Sequence, residues 1–160
     1  MSSDLILQIV IFCGVISVIY GFISSKQILS ASAGDNKMQE IASAIQIGAK
    51  AYLNRQYTTI AIVGVIVLIL ISFLFSIWVG LGYVIGATLS GAAGYVGMLI
   101  SVQANVRTAE ASRTSLDDGL RIAFKSGAVT GMLVAGLALL SISVYYLSLI
   151  HIWRCRRGSS

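Results

Sequence analysis

Four stretches of about twenty residues or more contain no Asp, Glu, Lys, Arg or His: Leu5 to Ile23, Thr58 to Val79, Leu81 to Val102 and Gly127 to Ile150. At about 1.5 Å of rise per residue, each helix would reach roughly 30 Å, the thickness of a hydrocarbon core. Backbone inside lipid must satisfy its own hydrogen bonds, so runs of this kind are predicted to be helices. The fold class is therefore all-α: a polytopic membrane protein with four transmembrane helices. With 57% hydrophobic and only 11% charged residues, the composition excludes a soluble globular domain, where about a quarter of residues carry charge. The first run lacks the basic flank and the small-residue cleavage site of a signal peptide, and it reads as a span.

The basic residues set the expected orientation. Lys26, Lys37, Lys50 and Arg55 lie between the first and second spans, and Arg107, Arg113, Arg121 and Lys125 between the third and fourth. The turn between the second and third spans, expected around Gly80 and Gly82, carries no charge. The positive-inside rule then places loops 24–57 and 103–126 in the cytoplasm and the N-terminus outside. The formal net charge of +5 is thus a matter of topology, and no nucleic-acid partner is implied. Arg154, Arg156 and Arg157 break the rule by falling on the outer side. From Ser148 the segment LIHIWRCRRGSS changes composition abruptly. Residues 148–160 are expected to be a foreign, vector- or adapter-like tail joined to a membrane portion, 1–147, with spans at about 5–23, 58–79, 81–102 and 127–147.

The loops read as helical extensions of the spans. Met38, Ile41, Ala42, Ile45, Ala49, Tyr52 and Leu53 recur at three- and four-residue spacing, so an amphipathic helix should run from Asn36 into the second span. Asn36 is the expected cap, with Gln39 reaching back to it. Ser115, followed three residues on by Asp118, marks a similar start before the fourth span. Adjacent Asp117 and Asp118 point in different directions on a helix and suit its N-terminus better than a metal.

Small residues recur every four positions in the third span, at Gly82, Gly86, Ser90 and Gly94, and Gly127 and Gly131 open the fourth. Helix backbones approach closely over such faces, so Gly86, Ser90, Gly94, Gly127 and Gly131 are candidate helix-packing positions within a larger bundle. Trp78, Tyr83, Tyr145 and Tyr146 fit an outer aromatic belt.

Chemistry is sparse. An ionisable residue inside a span usually marks an ion pathway, and these four spans contain none. Cys13, Cys155 and the lone His151 show no metal-ligand spacing, and there is no phosphate loop, nucleophile set or carboxylate cluster. Lys50, Arg55, Arg107, Arg113, Arg121 and Lys125 could form a basic collar for phosphate or could snorkel at the interface, with Arg107 the most interesting of them. No catalytic, substrate-binding or metal residue is assigned.

Three blocks carry more information than composition: KMQEIASAIQIGAKAYLNRQYTTIAIVGV from Lys37, GATLSGAAGYVGMLISVQANVRTAEASR from Gly86, and RIAFKSGAVTGMLVAGLALL from Arg121. With SKQILSASAG from Ser25, they resemble the N-terminal part of the membrane-bound, ion-translocating pyrophosphatases, most closely the bacterial proton-pumping type. Ile47 and Gln103 depart from the family pattern. The resemblance implies a homodimeric inner-membrane enzyme, multi-pass, that hydrolyses cytoplasmic pyrophosphate with Mg2+ and pumps protons outward. It also implies that the catalytic motifs lie on later helices, so this chain is expected to be an inactive N-terminal fragment whose partners are the bilayer and the remaining helices of the pump. A sodium-pumping member of the family is the alternative. From another class, a non-enzymatic four-helix membrane scaffold also fits the absence of ionisable residues in the spans.

Overall fold

The computed structural model describes residues 3–157, and side chains from 5 to 148. It contains α1 (Ser3–Leu29), α2 (Asn36–Leu74), α3 (Ile77–Thr114) and α4 (Leu116–Arg157). All four are long and apolar enough to cross a membrane. The chain is a multi-pass membrane protein built wholly of helices among the described residues. At 39 residues, α2 would measure roughly 58 Å, far more than a bilayer needs. The segment from Ser148 continues α4, but its side chains beyond Ser148, and residues 158–160 altogether, lie outside the described residues.

The helices form a row in the order α1, α4, α3, α2. α4 packs between α1 and α3, while α2 packs on α3 alone. Ile28 of α1, Ile100 and Ala104 of α3 and Val129 of α4 meet in one buried cluster, with Leu133 against it. Glycine sets the α1–α4 spacing. A Cβ on Gly136 would stand 2.8 Å from Ser17 Cβ and 2.9 Å from the Gly14 carbonyl oxygen, and one on Gly21 would meet Leu133 at 2.9 Å. Backbones this close leave no room for a side chain, which is how helices associate where lipid removes the hydrophobic drive. The buried hydroxyl of Ser17 donates to the Cys13 carbonyl, so no polar atom is orphaned at the crossing.

Two boundaries differ from those expected. The α2–α3 reversal sits at Phe75 and Ser76, not around Gly80 and Gly82. Ile77 to Val79 therefore open α3 rather than close the second span. Ser76 is in the extended region and its hydroxyl accepts from the Val79 N–H, which makes it the cap of α3. Gly80 lies inside that helix, where a side chain would run into Ser72 of α2. The second difference is at the start of α2, where Asp35 is the cap in place of Asn36. Its carboxylate accepts from the Met38 N–H at 2.9 Å. Gln39 does reach back, but its amide donates to the Gly34 carbonyl. The extra residue is accommodated by Gly34 at φ +79, a left-handed conformation natural to glycine.

Candidate functional site

Most polar contacts between helices gather where α1 ends, α2 begins and α3 leaves the apolar region. The last carbonyls of a helix have no partner within it. Arg107 supplies partners for α1: its Nε donates to the Ala31 carbonyl at 3.2 Å and its Nη2 to the Leu29 carbonyl at 3.0 Å. Its Nη1 donates to the Gln103 carbonyl of its own helix at 2.7 Å. A guanidinium at a helix C-terminus also meets the negative end of the dipole. Arg107 thus ties α3 to the end of α1, a role different from either a phosphate collar or interfacial snorkelling.

Arg113, two turns further along α3, holds the start of α2. Its Nη1 lies 3.2 Å from Asp35 Oδ2 and 3.2 Å from Glu110 Oε2. The Met38 N–H and this guanidinium hold the Asp35 carboxyl below the usual carboxylate range. Both members of the Arg113–Asp35 pair are well exposed, so water screens the attraction and the pair orients more than it stabilises. A Cβ on Gly34 would meet Met38 Sδ at 2.7 Å and Glu110 Oε2 at 2.9 Å, so this glycine answers both a backbone and a packing demand. At the next reversal the Ser115 hydroxyl accepts from the Asp118 N–H at 3.1 Å and donates to the Asp118 carboxylate at 2.8 Å. Asp118 is a cap component, and neighbouring Asp117 shares the first turn of α4.

The α2–α3 contact is closed by aromatic rings. Tyr57 and Tyr95 meet edge to face with centroids 5.2 Å apart, and the Tyr95 hydroxyl donates to Asn54 Oδ1 at 3.3 Å. Beyond these rings, Ile41, Ile45, Val102 and Val106 line an apolar cleft of about 230 Å³. Where α3 begins, at the other end of the helices, the Tyr145 hydroxyl of α4 donates to the Trp78 carbonyl at 2.6 Å, and the Tyr145 ring lies where a side chain on Gly82 would project.

The small-residue positions divide into two groups. Gly94 faces the Tyr57 hydroxyl, which would stand 2.8 Å from a Cβ there. Gly86, Gly127 and Gly131 have open space at that point, and Ser90 is exposed. Gly86 and Ser90 line a cleft of about 210 Å³ between α3 and α4, with Val134 and Ala138 opposite. Gly97, on the ladder of small residues beside that of Gly94, meets Thr130 of α4 as Gly94 meets Tyr57, and Gly14, Gly21 and Gly136, outside the four-residue pattern, bring α1 and α4 together. Their signal was present: Gly14, Ser17 and Gly21 share one face of α1 at three- and four-residue spacing.

Among the described residues no three His, Cys, Asp or Glu side chains come together. Asp35 and Glu110 face Arg113, and Asp118 faces Ser115. This donor set does not fit a divalent metal with pyrophosphate, which needs several carboxylate oxygens free to converge on the ion. Together with Arg107, these polar side chains fasten helix ends.

A sequence profile of the family described as inorganic H+ pyrophosphatase matches residues 15–157. The chain belongs to this family. The K(+)-insensitive pyrophosphate-energized proton pump of Methanosarcina mazei is 49% identical over 136 residues, covering 84% of this chain and 20% of the relative. A second proton pump of the same description, from Moorella thermoacetica, is 39% identical over 83% of this chain and 20% of its own length. The putative K(+)-stimulated pyrophosphate-energized sodium pump of Bacteroides thetaiotaomicron is 38% identical over 92% of this chain and 21% of the pump. The chain spans about a fifth of the length of these curated relatives. The matched range ends within the segment after Ser148 that composition sets apart.

Proposed function

We propose that this chain is the N-terminal membrane portion of a pump that hydrolyses cytoplasmic inorganic pyrophosphate and drives protons outward across the inner membrane. The observation that carries the reading is the 49% identity, over most of this chain, to a relative described as a pyrophosphate-energized proton pump. In this reading the N-terminus lies outside and loops 24–57 and 103–126 are cytoplasmic, as the basic residues argue. Mg2+, the pyrophosphate site and the homodimer contacts belong to the intact pump. The chain itself supplies outer support for the helices that carry them. Open space at Gly86, Gly127 and Gly131, and the exposed Ser90, support a role for these positions in receiving those helices, while Gly94 is filled by Tyr57.

The Bacteroides relative supports a second reading, in which the coupled ion is sodium; its identity is lower than that of the Methanosarcina relative. The part common to both readings, that the chain completes a pyrophosphate-hydrolysing pump, is tested by coexpressing it with the remaining four-fifths of the Methanosarcina pump as a separate polypeptide. The expected result is that each piece alone gives no magnesium-dependent hydrolysis and that together they copurify and hydrolyse pyrophosphate. Hydrolysis by the 160-residue chain alone, or failure of the two pieces to associate when both are inserted, contradicts the proposal.

A further inference from the structure

The cations of this chain are not used alike. The ion pairs among the described residues all involve Arg113, and Arg107 is committed to helix carbonyls. At the other side of the row, Arg121 and Lys125 lie one turn apart on the same side of α4, just before the apolar run that begins at Gly127. Lys125 Nζ donates to Gln27 Oε1 at 3.0 Å, which draws the last turn of α1 to the first turns of α4. Lys26, beside Gln27, is exposed, with its Nζ 4.6 Å from the centre of the Phe22 ring. Asp117, one turn before Arg121, makes no ion pair with it, and no other carboxylate among the described residues pairs with these three cations.

Next to the cations are exposed apolar side chains, one of them the Phe22 ring under the Lys26 ammonium. Phe124 is 80% exposed, Phe22 62% and Leu120 59%. Leu120 and Phe124 share a side of α4 adjoining that of Arg121 and Lys125. The corner therefore offers unpaired positive charge at the end of two membrane helices and open apolar surface alongside. We infer that this corner binds an anionic phospholipid, with Arg121 and Lys125 holding its phosphate, Lys26 adding charge, and Phe124 and Leu120 lying along its acyl chains. The argument is charge complementarity: basic side chains at membrane-helix ends attract anionic headgroups, and long Lys and Arg stems reach the interface from within the apolar layer. Lys125 is the anchor, because Gln27 holds its Nζ in place.

Ordinary interfacial attraction would act on any basic residue at this level, Lys50 and Arg55 of α2 included, and the test turns on that difference. The 160-residue chain is purified in mild detergent, mixed with phosphatidylglycerol or phosphatidylcholine of matched chains, and its bound lipids are counted by native mass spectrometry. The expected result is retention of one phosphatidylglycerol in preference to phosphatidylcholine. R121Q/K125Q should weaken that retention roughly thirtyfold, the effect of two interfacial charges. K50Q/R55Q should leave it unchanged, and R121K/K125R should preserve most of it. Added inorganic phosphate or pyrophosphate should not displace the lipid. Equal retention of the two lipids by the unmodified chain overturns the inference without any variant. So does an equal loss in K50Q/R55Q, or displacement of the lipid by free pyrophosphate.

Discussion

Replacing Gly136 with alanine should push α1 and α4 apart. The new methyl group would lie 2.8 Å from Ser17 Cβ and 2.9 Å from the Gly14 carbonyl oxygen, where ordinary contact begins at 3.4 Å. The helices must separate by about 0.5 Å, and the obstacle on one side is backbone, which cannot rotate away. Overpacking of this kind costs about 1–3 kcal/mol, against a gain of about 1 kcal/mol from replacing glycine within a helix. Gly131→Ala is the matched control, because a methyl group there meets nothing within 4 Å and the substitution should bring the propensity gain alone. The difference between the two variants is therefore about 1–3 kcal/mol. It can be read from equilibrium unfolding in mixed micelles of dodecyl maltoside and SDS, followed by energy transfer between dyes on α1 and α4. A G136A chain as stable as G131A would refute the claim that a glycine contact sets the α1–α4 spacing.

Three further perturbations bear on the helix ends. Arg107→Gln removes charged hydrogen bonds to the Leu29 and Ala31 carbonyls, at a cost of about 1–3 kcal/mol; amides of the last turn of α1 should exchange faster, and unchanged exchange there would count against the capping role. Gly34→Ala forces a side chain into a left-handed conformation, costing about 1–2 kcal/mol, and should loosen the start of α2 in the same experiment; an unchanged α2 would show that the φ value is dispensable. The Asp35 carboxyl titrates lower in the folded chain than in the unfolded one, so its contribution is complete at neutral pH. That contribution is lost as pH falls from about 3.9 through the lower folded value. The Met38 amide should lose protection over that window, whereas Asp35→Asn, which still caps, should remove the pH dependence.

The spans were legible because charge is costly in lipid and its absence over twenty residues leaves little choice of structure. The start of α4 was equally readable, since Ser115 and Asp118 carry a cap pattern that water-exposed helix ends require. The reversal at Phe75 and Ser76 was hidden within an uncharged run, where a single serine is the only mark and the nearby glycines suggested a turn they do not make. Asp35 displaced Asn36 as cap because Gly34 can take a positive φ, a backbone choice that residue periodicity does not express. The glycines of the α1–α4 contact come from segments more than a hundred residues apart, and a pattern within one helix cannot say which face meets a neighbour. Arg107 stood out by its position, but its partners are main-chain carbonyls, which every sequence has and none displays. The family's chemistry was legible only by resemblance, since Asp35, Glu110 and Asp118 serve helix ends and the chain spans a fifth of its relatives' length.

The most direct test joins this chain to the rest of the Methanosarcina relative as one polypeptide and measures pyrophosphate-driven ion uptake in inside-out vesicles. The account predicts magnesium-dependent hydrolysis accompanied by acidification of the vesicle lumen that a protonophore abolishes. A correctly inserted chimera that hydrolyses pyrophosphate without moving protons, or that accumulates sodium instead, would contradict it.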